Sequence, residues 1–172
     1  MPRTPLETDR LILRELTLED AEFILELVND PAWLRFIGDK GVRTLIDAQA
    51  YLLAGPMAMY RRLGFGLWLV ELKSDDLPIG ICGLIKRDTL DHVDIGFAVL
   101  PAYRGRGYAF EAAAACLAYG HGTLGLDRIV ATTALGNDAS GRLLERIGLR
   151  FERVIRLEPD SPDLKLYGRD FQ

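Results

Sequence analysis

The residue types best suited to chemistry lie between Val93 and Ala109. Val93-Asp94-Ile95-Gly96-Phe97-Ala98-Val99-Leu100 reads as a strand, and Pro101-Ala102-Tyr103 breaks it. Arg104-Gly105-Arg106-Gly107-Tyr108-Ala109 then opens an alanine-rich helical stretch. The first N–H groups of a helix have no intrahelical partner and carry partial positive charge. Gly105 and Gly107 would let a ligand approach the backbone closely, and Arg104 and Arg106 would add cationic charge. The combination suits a pyrophosphate cradle. A plain glycine turn with solvated arginines is the alternative. A Walker A loop is excluded, because no Gly-Lys-Ser/Thr follows. A dinucleotide fingerprint fails at Phe110, where a third glycine is needed, and Ile129 to Thr133 ends without an acidic residue. His92 and Asp94 share one strand face. His92 has a pKa range suited to base work, yet its place at the strand start fits a solvated turn residue.

The elements that must position this loop follow from hydrophobic spacing. Leu11 to Glu15 alternates as a strand, and Thr17 with Asp20 forms a capping-box pattern before a helix that Asn29-Asp30-Pro31 stops. Thr44 to about Ala54 is a second helix, interrupted or ended near Gly55-Pro56, with a short helical piece through Arg62. Phe65 to Leu72, Pro78 to Lys86 and Val93 to Leu100 are three strands with brief connections, hence antiparallel neighbours. Helix follows from Gly107 to about Tyr119, strand from Ile129 to Thr133, and helix from Ala139 to Ile147, closed by Gly148. Phe151 to Leu157 and Leu164 to Arg169 are the last strands. The order predicts a mixed α/β fold with a mostly antiparallel sheet.

The 172 residues, with no repeat or linker, suit one domain spanning 1–172. Hydrophobic residues at 49% and charged residues at 27% exclude a disordered chain. The net charge of −4 argues against nucleic acid and anionic membrane as partners. Cys82 and Cys116 read as reduced core thiols, and His92 and His121 sit far from any zinc-type cysteine pair, so no metal is expected. No apolar leader or membrane-length run is visible, so a cytoplasmic protein is expected.

Arg104 to Ala109 resembles the R/Q-x-x-G-x-G/A acyl-CoA motif of the GNAT acetyltransferase superfamily. Thr8-Asp9-Arg10-Leu11-Ile12-Leu13-Arg14 is similar to the opening strand of its RimJ/RimL-type branch, and Asn29-Asp30-Pro31 through Gly38 to that branch's next link. Asn137-Asp138-Ala139-Ser140, with Leu144 to Leu149, resembles the family's later asparagine, helix and glycine segment. The resemblance runs nearly the whole chain in order. It implies a GNAT-like sheet of about seven strands, splayed between the fourth and fifth and flanked by about four helices. It implies acetyl-CoA as cosubstrate and an N-acetyltransferase working by direct transfer in a ternary complex. The acceptor would be a protein N-terminus or a small amine, and the chain a monomer or homodimer.

By the same resemblance, Phe97, Ala98 and Val99 would pair with the pantetheine arm and Asn137 would hydrogen-bond it. Residues Arg104, Gly105, Arg106, Gly107, Tyr108 and Ala109 would hold the pyrophosphate, and the Val99 N–H would serve the oxyanion. Asp94 would be the base, acting through water, or else a carboxylate facing solvent or an arginine. The family's helix tyrosine, an acid for the leaving thiolate, is Leu144 here. Ser140, one turn earlier, would then be the acid, the helix cap, or both. Tyr103, Tyr108 and Tyr167 stand in reserve. An acyl-CoA-binding module without turnover, or a structural interaction domain, are the alternatives.

Overall fold

A computed structural model describes residues 2–172. Eight strands form one sheet in the order β1-β2-β3-β4-β5-β6-β8-β7. They are β1 (Leu6–Glu7), β2 (Leu11–Glu15), β3 (Leu67–Leu72), β4 (Leu77–Ile85), β5 (Asp94–Val99), β6 (Arg128–Ala134), β7 (Arg150–Ile155) and β8 (Leu164–Asp170). All neighbours are antiparallel except β5 and β6. The expected strands are all present. The additional β1 is two residues long, too short for its alternation to register.

Six α-helices occur among the described residues, against the four or so expected: α1 (Ala21–Leu27), α2 (Pro31–Phe36), α3 (Leu45–Leu52), α4 (Ala58–Leu63), α5 (Tyr108–Gly122) and α6 (Asp138–Arg146). The Asn-Asp-Pro stop at the end of α1 is also a start. Pro31 takes the first turn of α2, where its missing N–H costs nothing, and the Asp30 side chain caps it by accepting from the Trp33 N–H. Gly55-Pro56 does not end the helix there. The chain widens to a π turn at Leu53–Met57, absorbs Pro56, and continues into α4. Thr17 and Asp20 form the anticipated capping box, and Arg14 grips Asp20 at 2.8 and 3.0 Å.

The sheet is covered on both faces. Trp68, Val70, Leu84 and Ile95 pack with α5, while Leu69, Ile81 and Leu100 pack with α1 and α3. Small residues let α5 approach closely: a Cβ on Gly120 would lie 2.7 Å from Ile129 Cδ1. Cys82 and Cys116 are free, buried thiols with sulfurs 3.6 Å apart, each from one side of that contact. No helix among the described residues is long and apolar enough to cross a membrane.

One seam positions the site. β5 and β6 share a single register pair, Asp94 with Val130, closed by the Val130 N–H on the Val93 carbonyl at 3.0 Å. Beyond that point the two strands part. With β1 counted, the parting lies between the fifth and sixth strands of this chain, at the strand pair where the splay was expected.

Candidate active site

The parting strands open into a cleft of about 670 Å³. Its lining includes Asp94, Phe97, Ala98, Val99, Arg104, Ala109, Asn137 and Ser140, so residues far apart in sequence meet there. On β5 the peptide groups alternate. The Leu100 N–H bonds the Ile79 carbonyl on β4, while the Val93 carbonyl faces β6. By that alternation Phe97 and Val99 direct their N–H groups into the cleft. Ala98 borders the cleft but turns its peptide groups to β4, which corrects the expectation that its backbone is free for a ligand.

At the end of β5 the loop is shaped by two glycines. Gly105 has φ +74° and Gly107, which precedes α5, has φ +81°. Such alternation turns successive N–H groups to one side as a nest for an anion. The N–H groups of residues 105–110 meet no protein acceptor among the described residues, and the first to bond is that of Glu111, to the Gly107 carbonyl. Gly105, Arg106, Gly107 and Tyr108 flank the cleft outside its walls; Ala109 lines it.

Arg104 departs from its expected role. Its Nη2 binds Asp30 at 2.6 Å and its Nε donates to the Val99 carbonyl at 2.9 Å. Its charge is spent on the cap of α2, which ties the loop to the helices across the cleft. Arg106 remains exposed beside the nest. A cation that sequence reasoning missed braces the loop from outside the cleft walls. Arg10 donates to the Arg106 carbonyl at 3.0 Å, stacks over Tyr108 at 4.4 Å, and pairs with Glu111 at 2.7 Å. Burial alone would raise the Glu111 carboxyl, but hydrogen bonds from Thr8 and Arg10 outweigh it and hold it low. Arg10 stands within the quoted opening-strand motif, but its partner is 101 residues away.

Asp94 stands at the other end of β5, about 17 Å from Val99 at strand spacing. It is 2% exposed, and Arg87 Nε reaches its two oxygens at 3.2 and 3.4 Å. Burial raises its carboxyl above the ordinary range against the pull of Arg87. His92 is exposed and lies outside the cleft, as its turn reading anticipated. His121 is structural: it contacts the Leu126 carbonyl at 3.1 Å and stacks on Phe171.

Across the cleft, α6 presents Asn137, Ser140 and Leu144. The cap belongs to Asn137, whose Oδ1 accepts from the Ser140 N–H at 3.3 Å. The Ser140 hydroxyl is therefore not the cap. It makes no hydrogen bond among the described residues and borders the cleft. The Asn137 Nδ2 is likewise left for a ligand. Asn137→Ala is expected to lower stability by about 1 kcal/mol through the lost cap and to weaken coenzyme binding as well; denaturant melts and calorimetry on one variant read both. Leu144 is 1% exposed on the same wall, and Tyr167 packs under Gly141, where a Cβ would meet its hydroxyl at 2.5 Å.

A family model described as an acetyltransferase (GNAT) domain matches residues 10–150. The chain belongs to the GNAT acetyltransferase family. Its relatives include the uncharacterized N-acetyltransferase YoaA of Bacillus subtilis, 32% identical over 152 residues, covering 88% of this chain and 85% of that protein. A GNAT-family acetyltransferase structure from Bacillus anthracis superposes with a TM-score of 0.79 at 28% identity, covering 99% and 98% of the two chains. The fold of RimL, a ribosomal L7/L12 alpha-N-protein acetyltransferase solved with coenzyme A, matches with a TM-score of 0.83 at 17% identity, covering 98% of each. GNAT membership makes acyl-CoA-dependent acetyl transfer the chemistry of this fold. The free N–H nest and the parted strands suit that ligand's phosphates and its amide-bearing arm.

Proposed function

We propose that the chain is an acetyl-CoA-dependent N-acetyltransferase acting by direct transfer in a ternary complex. The parted β5–β6 edge, leading to six free N–H groups, carries the reading. The pantetheine amides pair with Phe97 and Val99, much as an added strand would. The pyrophosphate sits on the nest of Gly105 to Phe110, with Arg106 as its cation. The single-domain organisation over 1–172 and a cytoplasmic location remain part of this reading. So does the RimJ/RimL-type branch, on the motif at Thr8 to Arg14.

The step itself balances within one complex. Asp94, through water, takes a proton from the acceptor ammonium. The freed nitrogen lone pair attacks the thioester carbonyl carbon, and the developing oxyanion is held by the cleft-facing Phe97 N–H, because the Val99 N–H expected for it lies about 17 Å from the base at strand spacing. The C–N bond forms and the C–S bond breaks; the thiolate leaves as CoASH with the Ser140 proton, the second proton shed by the amide nitrogen restores the Ser140 hydroxyl, and the proton held by Asp94 returns to solvent. Holding both substrates in the cleft supplies much of the rate.

Ser140→Ala is expected to lower kcat by about tenfold or more with a nearly unchanged melting temperature, because Asn137 and not Ser140 caps α6. An unchanged kcat would remove the serine acid. Acceptor class is tested by free-thiol release across peptides, polyamines, amino acids and aminoglycosides. Acetyl-dependent thiol release with at least one class supports the enzyme. Coenzyme binding with no turnover in any class would favour a binding module, which the buried Leu144 in place of a tyrosine would then explain.

A further inference from the structure

Among the described residues, five charged side chains line the cleft: Asp30, Lys40, Arg87, Asp94 and Arg104. Four of them pair off, Arg104 with Asp30 and Arg87 with Asp94. Lys40 has no ion-pair or hydrogen-bond partner among the described residues, although it borders the same cavity. Lys40 is exposed on the cleft wall, and its pKa is lowered by desolvation and, secondarily, by the Arg87 charge. Arg87 spends only Nε on Asp94, leaving its two Nη groups and their four N–H donors without a partner among the described residues. Asp94 offsets only one of these two cations, so the charged groups on the cleft wall keep one net positive charge, which an anionic group on a ligand would balance.

The coenzyme's phosphates do not meet that need. Their nest follows Val99, and Asp94 with its Arg87 partner stands about 17 Å back along β5. The missing anion therefore belongs to the acceptor. Its other requirements are on the same walls. Asp94 is the acid that receives an ammonium, and Phe36, Ile37 and Tyr51 supply apolar surface. Burial raises the Tyr51 hydroxyl while the Arg87 charge opposes that shift.

From this charge pattern we infer that the acceptor is an amphoteric amine, a free α-amino acid with an apolar side chain. Its ammonium is directed to Asp94 and its carboxylate to Lys40 and the Arg87 Nη groups. A polyamine or aminoglycoside would bring further positive charge to that pair, and a peptide N-terminus carries a neutral amide where the carboxylate belongs. The inference rests on the acetyltransferase reading and narrows its acceptor.

The test compares L-phenylalanine with L-phenylalaninamide and phenethylamine, which share its side chain and amine but lack the carboxylate, with rates referred to the unprotonated amine of each. The acid is expected to show a kcat/KM at least about tenfold above either analogue without a carboxylate, the worth of one charge-assisted hydrogen bond. In Lys40→Met the acid-to-amide ratio is expected to fall toward one, and in Lys40→Glu below one. Equal or amide-favouring values in the wild-type protein would overturn the inference, as would absence of turnover with the acid. Binding of N-acetyl-L-phenylalanine against its amide in the presence of CoA gives a second readout that needs no catalysis. Equal binding of the two also overturns it. Acetyl-CoA calorimetry on the same sample separates the two levels: failure to bind the coenzyme defeats the acetyltransferase reading, whereas intact binding without acid preference defeats the acceptor assignment alone.

Discussion

Asp94→Asn is expected to lower kcat by on the order of 10²-fold or more, the usual worth of a positioned general base, while acetyl-CoA affinity is retained. The carboxyl is held above its ordinary range by burial. Only the carboxylate can take a proton, so wild-type activity falls as pH drops through that raised pKa, and the acid limb lies at higher pH than for a solvated aspartate. In the asparagine variant that limb disappears. The stability sign is opposite to that of a salt-bridged surface acid. With the folded-state pKa raised, the contribution is present below the unfolded pKa and is lost as pH rises through the folded one. A neutral asparagine escapes that loss. Arg87, left without its partner, is 38% exposed and stays hydrated. The variant is therefore expected to melt at or above the wild-type temperature at neutral pH. Lost activity together with a sharply lower melting temperature would make Asp94 a structural ion-pair residue.

Gly107→Val is expected to raise the acetyl-CoA Kd by on the order of 10²-fold. At φ +81° an L side chain is strained by about 1–2 kcal/mol, and a β-branched one is among the worst tolerated. The new Cβ would also sit 3.3 Å from Arg10 Nη2, disturbing the cation that braces Arg106 and Tyr108. Relaxing that strain rotates the N–H groups that open α5 away from one another, and each charge-assisted bond to a phosphate is worth about 1.5–3 kcal/mol. The lesion is local, because Gly107 lies on the surface and α5 keeps its packing through Ala113, Cys116 and Leu117. Calorimetry should thus show a binding defect far larger than the loss in melting temperature. Wild-type affinity in this variant would exclude the nest as the phosphate site.

The parts of this site carried by local spacing were legible in the sequence. The β5 alternation, the glycine pair before an alanine-rich helix, and Gly148, observed at φ +96° beyond α6, each depend on a few consecutive residues. What depended on distant partners was not. Nothing near Arg104 signals that Asp30, 74 residues earlier, takes its guanidinium. Arg10 is equally silent about Glu111. Pro31 and Pro56 were read through one property, the inability to continue a helix, yet one starts a helix and the other is absorbed in a π turn. Alternation set the face of Asp94 but could not say that Arg87 and the helices beyond would bury it. Lys40 gave no sequence signal, since its meaning lies in the pairing of the four other charges around it.

The central claim is that the parted strands and the N–H nest hold an acyl-CoA. Isothermal titration of the purified chain with acetyl-CoA measures this most directly. The account predicts saturable binding of one acetyl-CoA per chain, weakened by Arg106→Glu and by added salt because phosphates supply much of the attraction. Absence of heat and saturation at millimolar acetyl-CoA would contradict it.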